Sequence, residues 1–193
     1  MSRVLPVLFW LMAGCLLCVQ PECRAQEKLA HKVALKDLQF EKSIFASCAS
    51  DSSNTYCLLG KGFFRCPAAP YADSMIDAWI KRHPAAFVIP VSTMWEVTTD
   101  NTNSRLTYCW LVDKRDTINN YLIRNGCFPG ATMVRPETRS ELTKAERDTF
   151  GADYRVDVFI DPAGYVKFLS QIKGAEQQAR DARLGVWQDK PEE

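Results

Sequence analysis

The spacing of apolar positions changes several times along the chain, and each spacing predicts a different element. In residues 72–83 apolar side chains recur every three or four positions, as on one face of a helix that Pro84 ends. Shorter apolar runs that are continuous or alternating predict strands at residues 87–91, 94–97, 105–112 and 154–160. Since Pro90 has no backbone N–H, we expect an edge or a bulge there.

Two further helices are predicted in the C-terminal half. The first begins at Asp116 or Thr117, both suitable N-cap residues, and Gly126 ends it. The second covers residues 165–184, and one face carries Phe168, Leu169, Ile172, Ala175, Ala179 and Ala182. Gly185 stands where a left-handed residue ends a helix, so we expect Val186 and Trp187 to fold back onto the body.

The remaining segments are less regular. A glycine-bounded turn at residues 60–62 separates two apolar runs, 55–59 and 63–66, and predicts a β-hairpin. Residues 127–153 are charged and irregular, which favours a loop or a short helix beside the core. The order of elements predicts an α+β domain, a small antiparallel barrel with helices packed on it.

The N-terminus has the pattern of an export signal. Arg3 precedes an apolar run at residues 4–19, and small residues favour cleavage after Ala25. A lipidated Cys15 and an uncleaved anchor are the alternatives. With residues 1–25 as the signal peptide, we expect a protein of the periplasm or a secreted one, with no membrane span in the mature chain.

The net charge of the mature chain bears on whether it binds nucleic acid. Removal of Arg3, Arg24 and Glu22 with the signal leaves 22 basic and 22 acidic side chains of the 24 and 23 in the full sequence. A neutral protein has no overall attraction for nucleic acid. Any such binding must therefore come from a local basic patch.

Cysteine usage fits an oxidising compartment. Five cysteines follow the predicted signal, and one or two disulfides are expected among Cys48, Cys57, Cys66, Cys109 and Cys127. The odd number leaves one thiol free or bonded to a partner. A zinc site is not expected, because the mature chain has no CxxC motif and His31 and His83 are isolated.

Two separated stretches resemble a known domain family. Residues 106–111 and 118–126 read LTYCWL and INNYLIRNG, and residues 175–187 read AEQQARDARLGVW. In this order they are similar to segments of the staphylococcal nuclease-like (thermonuclease-like) domain. The resemblance implies an OB-type five-stranded antiparallel β-barrel with about three helices over residues 46–189. An N-terminal arm would occupy residues 26–45, and an insertion about 127–160.

The resemblance also implies a chemistry. Active members of the family hydrolyse DNA and RNA phosphodiesters with one calcium ion held by acidic residues, an assisting glutamate and two arginines. Arg65 and Arg105 match the arginines that contact phosphate, although both also fit surface charges with buried stems. The positions of the acidic residues hold Asn54, Ala68 and Tyr71.

Three functions follow as hypotheses. The first is a catalytically degenerate module that binds nucleic acid or protein. The second is an active calcium-dependent phosphodiesterase, which needs Asp51 or Asp73 as a substitute metal ligand. The third is a disulfide-stabilised structural or assembly protein of the cell envelope. No cofactor is predicted beyond calcium in the active case.

Overall fold

A computed structural model describes residues 33–40, 43–61, 66–97, 103–114 and 116–188. The predicted signal peptide and Arg65 lie outside these ranges. The strands are β1 (Val33–Ala34), β2 (Leu38–Phe40), β3 (Phe45–Cys48), β4 (Asn54–Cys57), β5 (Phe87–Trp95), β6 (Arg105–Asp113), β7 (Asp116–Thr117) and β8 (Val156–Val158). The α-helices are α1 (Ala72–Arg82), α2 (Ile118–Arg124), α3 (Lys144–Phe150) and α4 (Pro162–Asp181).

The strands form one mixed sheet that nearly closes on itself. Its order is β1-β5-β6-β4-β3-β2, with β7 on β6 and β8 on β5. The two ends of this path, β1 and β2, are separated in the chain by only a 3-10 turn at Leu35–Asp37. The fold is therefore α+β, with a barrel-like sheet and four α-helices in the described ranges, and it is consistent with an OB-type barrel.

The sheet differs from the prediction in three respects. It has eight strands in the described ranges, and β4 runs parallel to β6, because α1 and β5 intervene between them. Residues 33–40 of the predicted arm belong to the barrel. The predicted hairpin partner of β4 at residues 63–66 lies largely outside the described ranges, and the described partners of β4 are β3 and β6.

Local predictions of strand and helix ends are mostly confirmed. The register of β5 shifts between Pro90 and Ser92, as expected where proline cannot donate to the ladder. Thr117 caps α2 by accepting a bond from the Asn120 amide at 3.0 Å. Helix α4 begins earlier than predicted, because Asp161 accepts a bond from the Gly164 amide and Pro162 suits the first turn.

The core lies between the sheet and the packed faces of the helices. Trp79 of α1 and Leu122 of α2 are fully buried, and the ring of Phe168 in α4 stacks on Trp110 of β6 at 4.0 Å. Ala182 is exposed, so it does not belong to the buried face predicted for α4. None of the helices in the described part of the chain is long and apolar enough to cross a membrane.

A buried asparagine in α2 links this helix to the barrel by hydrogen bonds. Asn119 of α2 has no exposed surface. Its Oδ1 accepts a bond from the Leu111 amide at 3.3 Å, and its Nδ2 donates to the carbonyls of Leu58 at 2.8 Å and Cys109 at 3.2 Å. These bonds join the helix to β6 and to the segment after β4, and they satisfy the buried amide.

The segment after α4 closes against the end of α2. Gly126 and Gly185 both have positive φ, 66° and 52°, and their backbones touch. The Val186 amide donates to the Gly126 carbonyl at 3.0 Å, and Trp187 is buried beneath Arg180. The prediction of a left-handed Gly185 followed by two residues that fold back is confirmed.

Candidate functional site

The structure brings two of the predicted site residues together. Strands β4 and β6 start side by side, with Asn54 opposite Arg105, and the Arg105 amide donates to the Ser53 carbonyl at 2.8 Å. Asp51 lies in the turn just before β4. Its Oδ1 therefore accepts a bond from the Arg105 guanidinium at 2.6 Å, and both side chains are partly exposed.

The other predicted residues lie elsewhere. Asp73 is exposed in the first turn of α1, where it lines a separate cavity of about 230 Å³ together with Ser43, Cys66 and Ala68. Asp51 is not among the residues that line this cavity. The structure therefore does not place Asp51 and Asp73 in one described pocket, and Arg65 is outside the described residues.

Asn54 and Tyr71, two of the positions where the resemblance would require acids, form hydrogen bonds within the fold. Asn54 is buried, and its Oδ1 accepts a bond from the Thr107 hydroxyl at 2.8 Å. The Thr93 hydroxyl joins Thr107 at 2.7 Å, which links three strands by side-chain bonds. The Tyr71 hydroxyl donates to the Asn125 carbonyl at 3.0 Å, near the closing glycines.

The ring of Trp95 lies beside the Asp51–Arg105 pair, and two guanidinium groups lie over it. Trp95, the last residue of β5, has the guanidinium carbon of Arg105 5.4 Å and that of Arg155 4.4 Å from its ring centroid. The indole N–H donates to Asp157 at 2.7 Å, and Arg155 donates to the same carboxylate at 2.9 Å. We call these five residues, Asp51, Trp95, Arg105, Arg155 and Asp157, the barrel-end cluster.

The cluster combines an indole ring with two guanidinium groups, each of which is paired with a carboxylate. The Nε of Arg105 is buried and has no hydrogen-bond partner among the described residues, while Arg155 is exposed. Guanidinium groups bind phosphate oxygens by paired donors, and indole rings stack on bases. Both carboxylates already bond to cluster members. Within the described ranges no group of three or more His, Cys, Asp or Glu side chains has a metal-binding arrangement.

None of the five cysteines in the described ranges forms a disulfide, so the expected disulfides are absent from this part of the structure. Burial raises the pKa of Cys57 and of Cys127 to about 12, and it raises that of Cys109 well above its usual value. The thiolate is the reactive form, so these three groups are chemically inert while the fold is intact. Cys66 is more accessible, and burial raises its pKa as well.

Sequence reasoning missed Trp95, Arg155 and Asp157. Trp95 and Arg155 lie in segments predicted as strands, but their meeting depends on the pairing of β5 with β8, where Met94 stands opposite Val156. That register brings the Arg155 carbonyl to the Trp95 amide at 3.1 Å. The sequence shows only a tryptophan and an arginine in two separate predicted strands, and neither residue indicates that β5 pairs with β8.

Comparisons of the chain with protein-family models, with curated proteins and with solved structures gave no match.

Proposed function

We propose that this protein is a nuclease-like barrel that binds single-stranded nucleic acid and does not cleave it. The observation that carries the proposal is the barrel-end cluster, where the partly exposed Arg105 and the exposed Arg155 both lie over the ring of Trp95. Proteins that bind single strands combine cations for the phosphates with aromatic rings for the bases. The cluster offers both within one site.

The connectivity of the sheet supports the OB-type assignment within this proposal. The β1–β2 segment pairs with β5 at one end and β3 at the other, while β4 and β6 are parallel neighbours. Helix α1 lies between β4 and β5 in the chain. OB-type barrels bind oligonucleotides on their sheet surface and adjoining loops, so a strand-end cluster is a suitable location.

Binding is favoured over catalysis by the state of the acidic residues. Asp51 accepts a 2.6 Å bond from Arg105, which satisfies an oxygen that a calcium ion would need. Asp157 is likewise bonded by Trp95 and Arg155. The described positions where the family resemblance requires acids are Asn54, Ala68 and Tyr71. In this proposal the predicted signal peptide directs the protein to the periplasm or outside the cell.

Arg105→Ala and Asp51→Asn are expected to change binding in opposite directions. Arg105→Ala removes a phosphate contact and should weaken binding of a single-stranded oligonucleotide about tenfold. Asp51→Asn removes a negative charge beside the phosphate and frees Arg105, so it should strengthen binding a few-fold, by about 1 kcal/mol. Fluorescence anisotropy of a labelled oligonucleotide measures both.

Arg82→Ala is the matched control, because Arg82 also lies over an aromatic ring, that of Tyr121, but on α1. It should leave the affinity unchanged. If Asp51→Asn and Arg105→Ala weaken binding equally, the ion pair is only structural and the cluster is not the binding site. Circular dichroism of each variant verifies that the fold is retained.

A further inference from the structure

A basic groove adjoins the barrel-end cluster in the predicted insertion. It has a volume of about 640 Å³, and we call it the arginine groove; its lining is Thr138, Arg139, Ser140, Arg147, Tyr154, Arg155 and Val156. Three of these seven side chains are arginines and none is a carboxylate. The groove therefore has the composition of a binding surface for anions.

Two of the three groove arginines, Arg139 and Arg147, have no carboxylate partner among the described residues, whereas Arg155 is paired with Asp157 at 2.9 Å. Arg139 donates to the Gly151 carbonyl, and Arg147 donates to the Leu142 carbonyl at 2.6 Å. In the described part of the chain neither forms an ion pair with a carboxylate. Carbonyl contacts position a guanidinium without neutralising it, so both side chains can attract a phosphate.

Two carboxylates of the insertion are held by other partners. Glu141 receives two bonds from Arg135, at 2.9 and 2.6 Å, and this pairing lowers the pKa of Glu141 to about 2. Glu146 caps α3 through Thr143, whose amide and hydroxyl donate to it. These bonds order the insertion and direct the two carboxylates away from a role as partners of Arg139 and Arg147.

An exposed phenylalanine stacked on a partly buried tyrosine borders the same groove. Phe150, the last residue of α3, is 53% exposed, and its ring stacks on Tyr154 at 4.7 Å between centroids. Gly151, which follows Phe150, accepts the bond from Arg139. An exposed phenylalanine near Arg139 offers the kind of ring on which single-strand binders stack bases.

The groove and the cluster form one surface through Arg155. This side chain lines the groove and also lies over the Trp95 ring, whose other arginine neighbour is Arg105. Basic and aromatic groups thus alternate from the start of β6 to α3. Continuity with the cluster favours a strand of nucleic acid, which is long enough to follow both, over a small isolated anion.

The geometry points to the arginine groove as an extension of the nucleic-acid site, in which Arg139 and Arg147 bind backbone phosphates and Phe150 stacks a base of a single strand. This inference rests on the proposed function of the barrel-end cluster. It identifies the ligand as a single strand that spans both surfaces, because the bases of a duplex are already stacked on each other and cannot stack on Phe150.

The test uses the salt dependence of binding. For wild type and an Arg139→Ala/Arg147→Ala variant, the affinity for single-stranded DNA of about 15 nucleotides is measured over a range of salt. Loss of two phosphate contacts should reduce the slope of log K against log salt by about 1.4 and weaken binding at least tenfold. The Arg139→Lys/Arg147→Lys variant keeps both charges and should retain most of the slope, which separates charge from folding.

A probe of about 4 nucleotides should bind the cluster alone and show no effect of the groove variant. Phe150→Ala should weaken binding of the long DNA and leave binding of inorganic polyphosphate unchanged, since polyphosphate has no bases. If the groove variant leaves the slope unchanged while Arg105→Ala weakens binding, the groove inference is wrong and the cluster proposal survives. If wild type binds neither probe, the proposed function itself fails.

Discussion

Replacement of Gly185 by alanine is expected to lower the free energy of unfolding by at least about 3 kcal/mol. Its φ of 52° is strained for a side-chain-bearing residue, and an added Cβ would lie 2.1 Å from the Gly126 carbonyl oxygen and 2.6 Å from the Tyr71 hydroxyl. The backbone of Gly126 cannot move aside without loss of its bond from the Val186 amide. Chemical denaturation followed by tryptophan fluorescence measures the change.

Gly174→Ala provides the matched control for this substitution. Gly174 lies inside α4, and an added Cβ would meet no atom within 4 Å. Alanine is the better helix residue there, so this variant should be as stable as wild type or more stable by about 0.5–1 kcal/mol. Equal stability of Gly185→Ala and Gly174→Ala would show that the closing segment does not pack as described.

Asn119→Ala is expected to cost about 3 kcal/mol of folding stability. It removes the only described side-chain partner of the Leu111 amide, and it takes a donor from the Leu58 and Cys109 carbonyls inside the core. Buried backbone groups without partners are costly, and the lost volume adds a cavity. Denaturant titration gives the change in stability.

The neighbouring asparagine is the control for this prediction. Asn120 follows Asn119 in α2, and its Oδ1 has no hydrogen-bond partner among the described residues. Asn120→Ala should therefore change stability by less than about 1 kcal/mol. A loss at position 120 as large as that at position 119 would mean that the three bonds of Asn119 do not hold the barrel to α2.

The ends of helices could be predicted from the sequence, because they depend on residues that are adjacent in the chain. The cap at Thr117, the stop at Pro84 and the left-handed Gly185 each depend on the chemistry of a few adjacent positions. The parallel pairing of β4 with β6 depends on contacts about 50 positions apart, such as Asn54 with Arg105. No local pattern encodes such a register, so the strand order could be predicted only through a resemblance.

The barrel-end cluster likewise depends on contacts between residues that are distant in the chain. Arg105 and Asp51 are candidates through the resemblance, which implies separate roles for them as phosphate contact and metal ligand. Their 2.6 Å ion pair is a tertiary contact. The arginine groove was harder to predict, since Arg139, Arg147 and Arg155 belong to a segment whose charges are of both signs, and only folding places these three together.

Binding without cleavage can be tested in one experiment. End-labelled single-stranded DNA is incubated with the purified protein and calcium, its anisotropy is recorded, and the same sample is then run on a denaturing gel. We expect the anisotropy to rise with protein concentration while the DNA stays full length. Calcium-dependent fragments that disappear with Arg65→Ala, or an anisotropy that never rises, would contradict it.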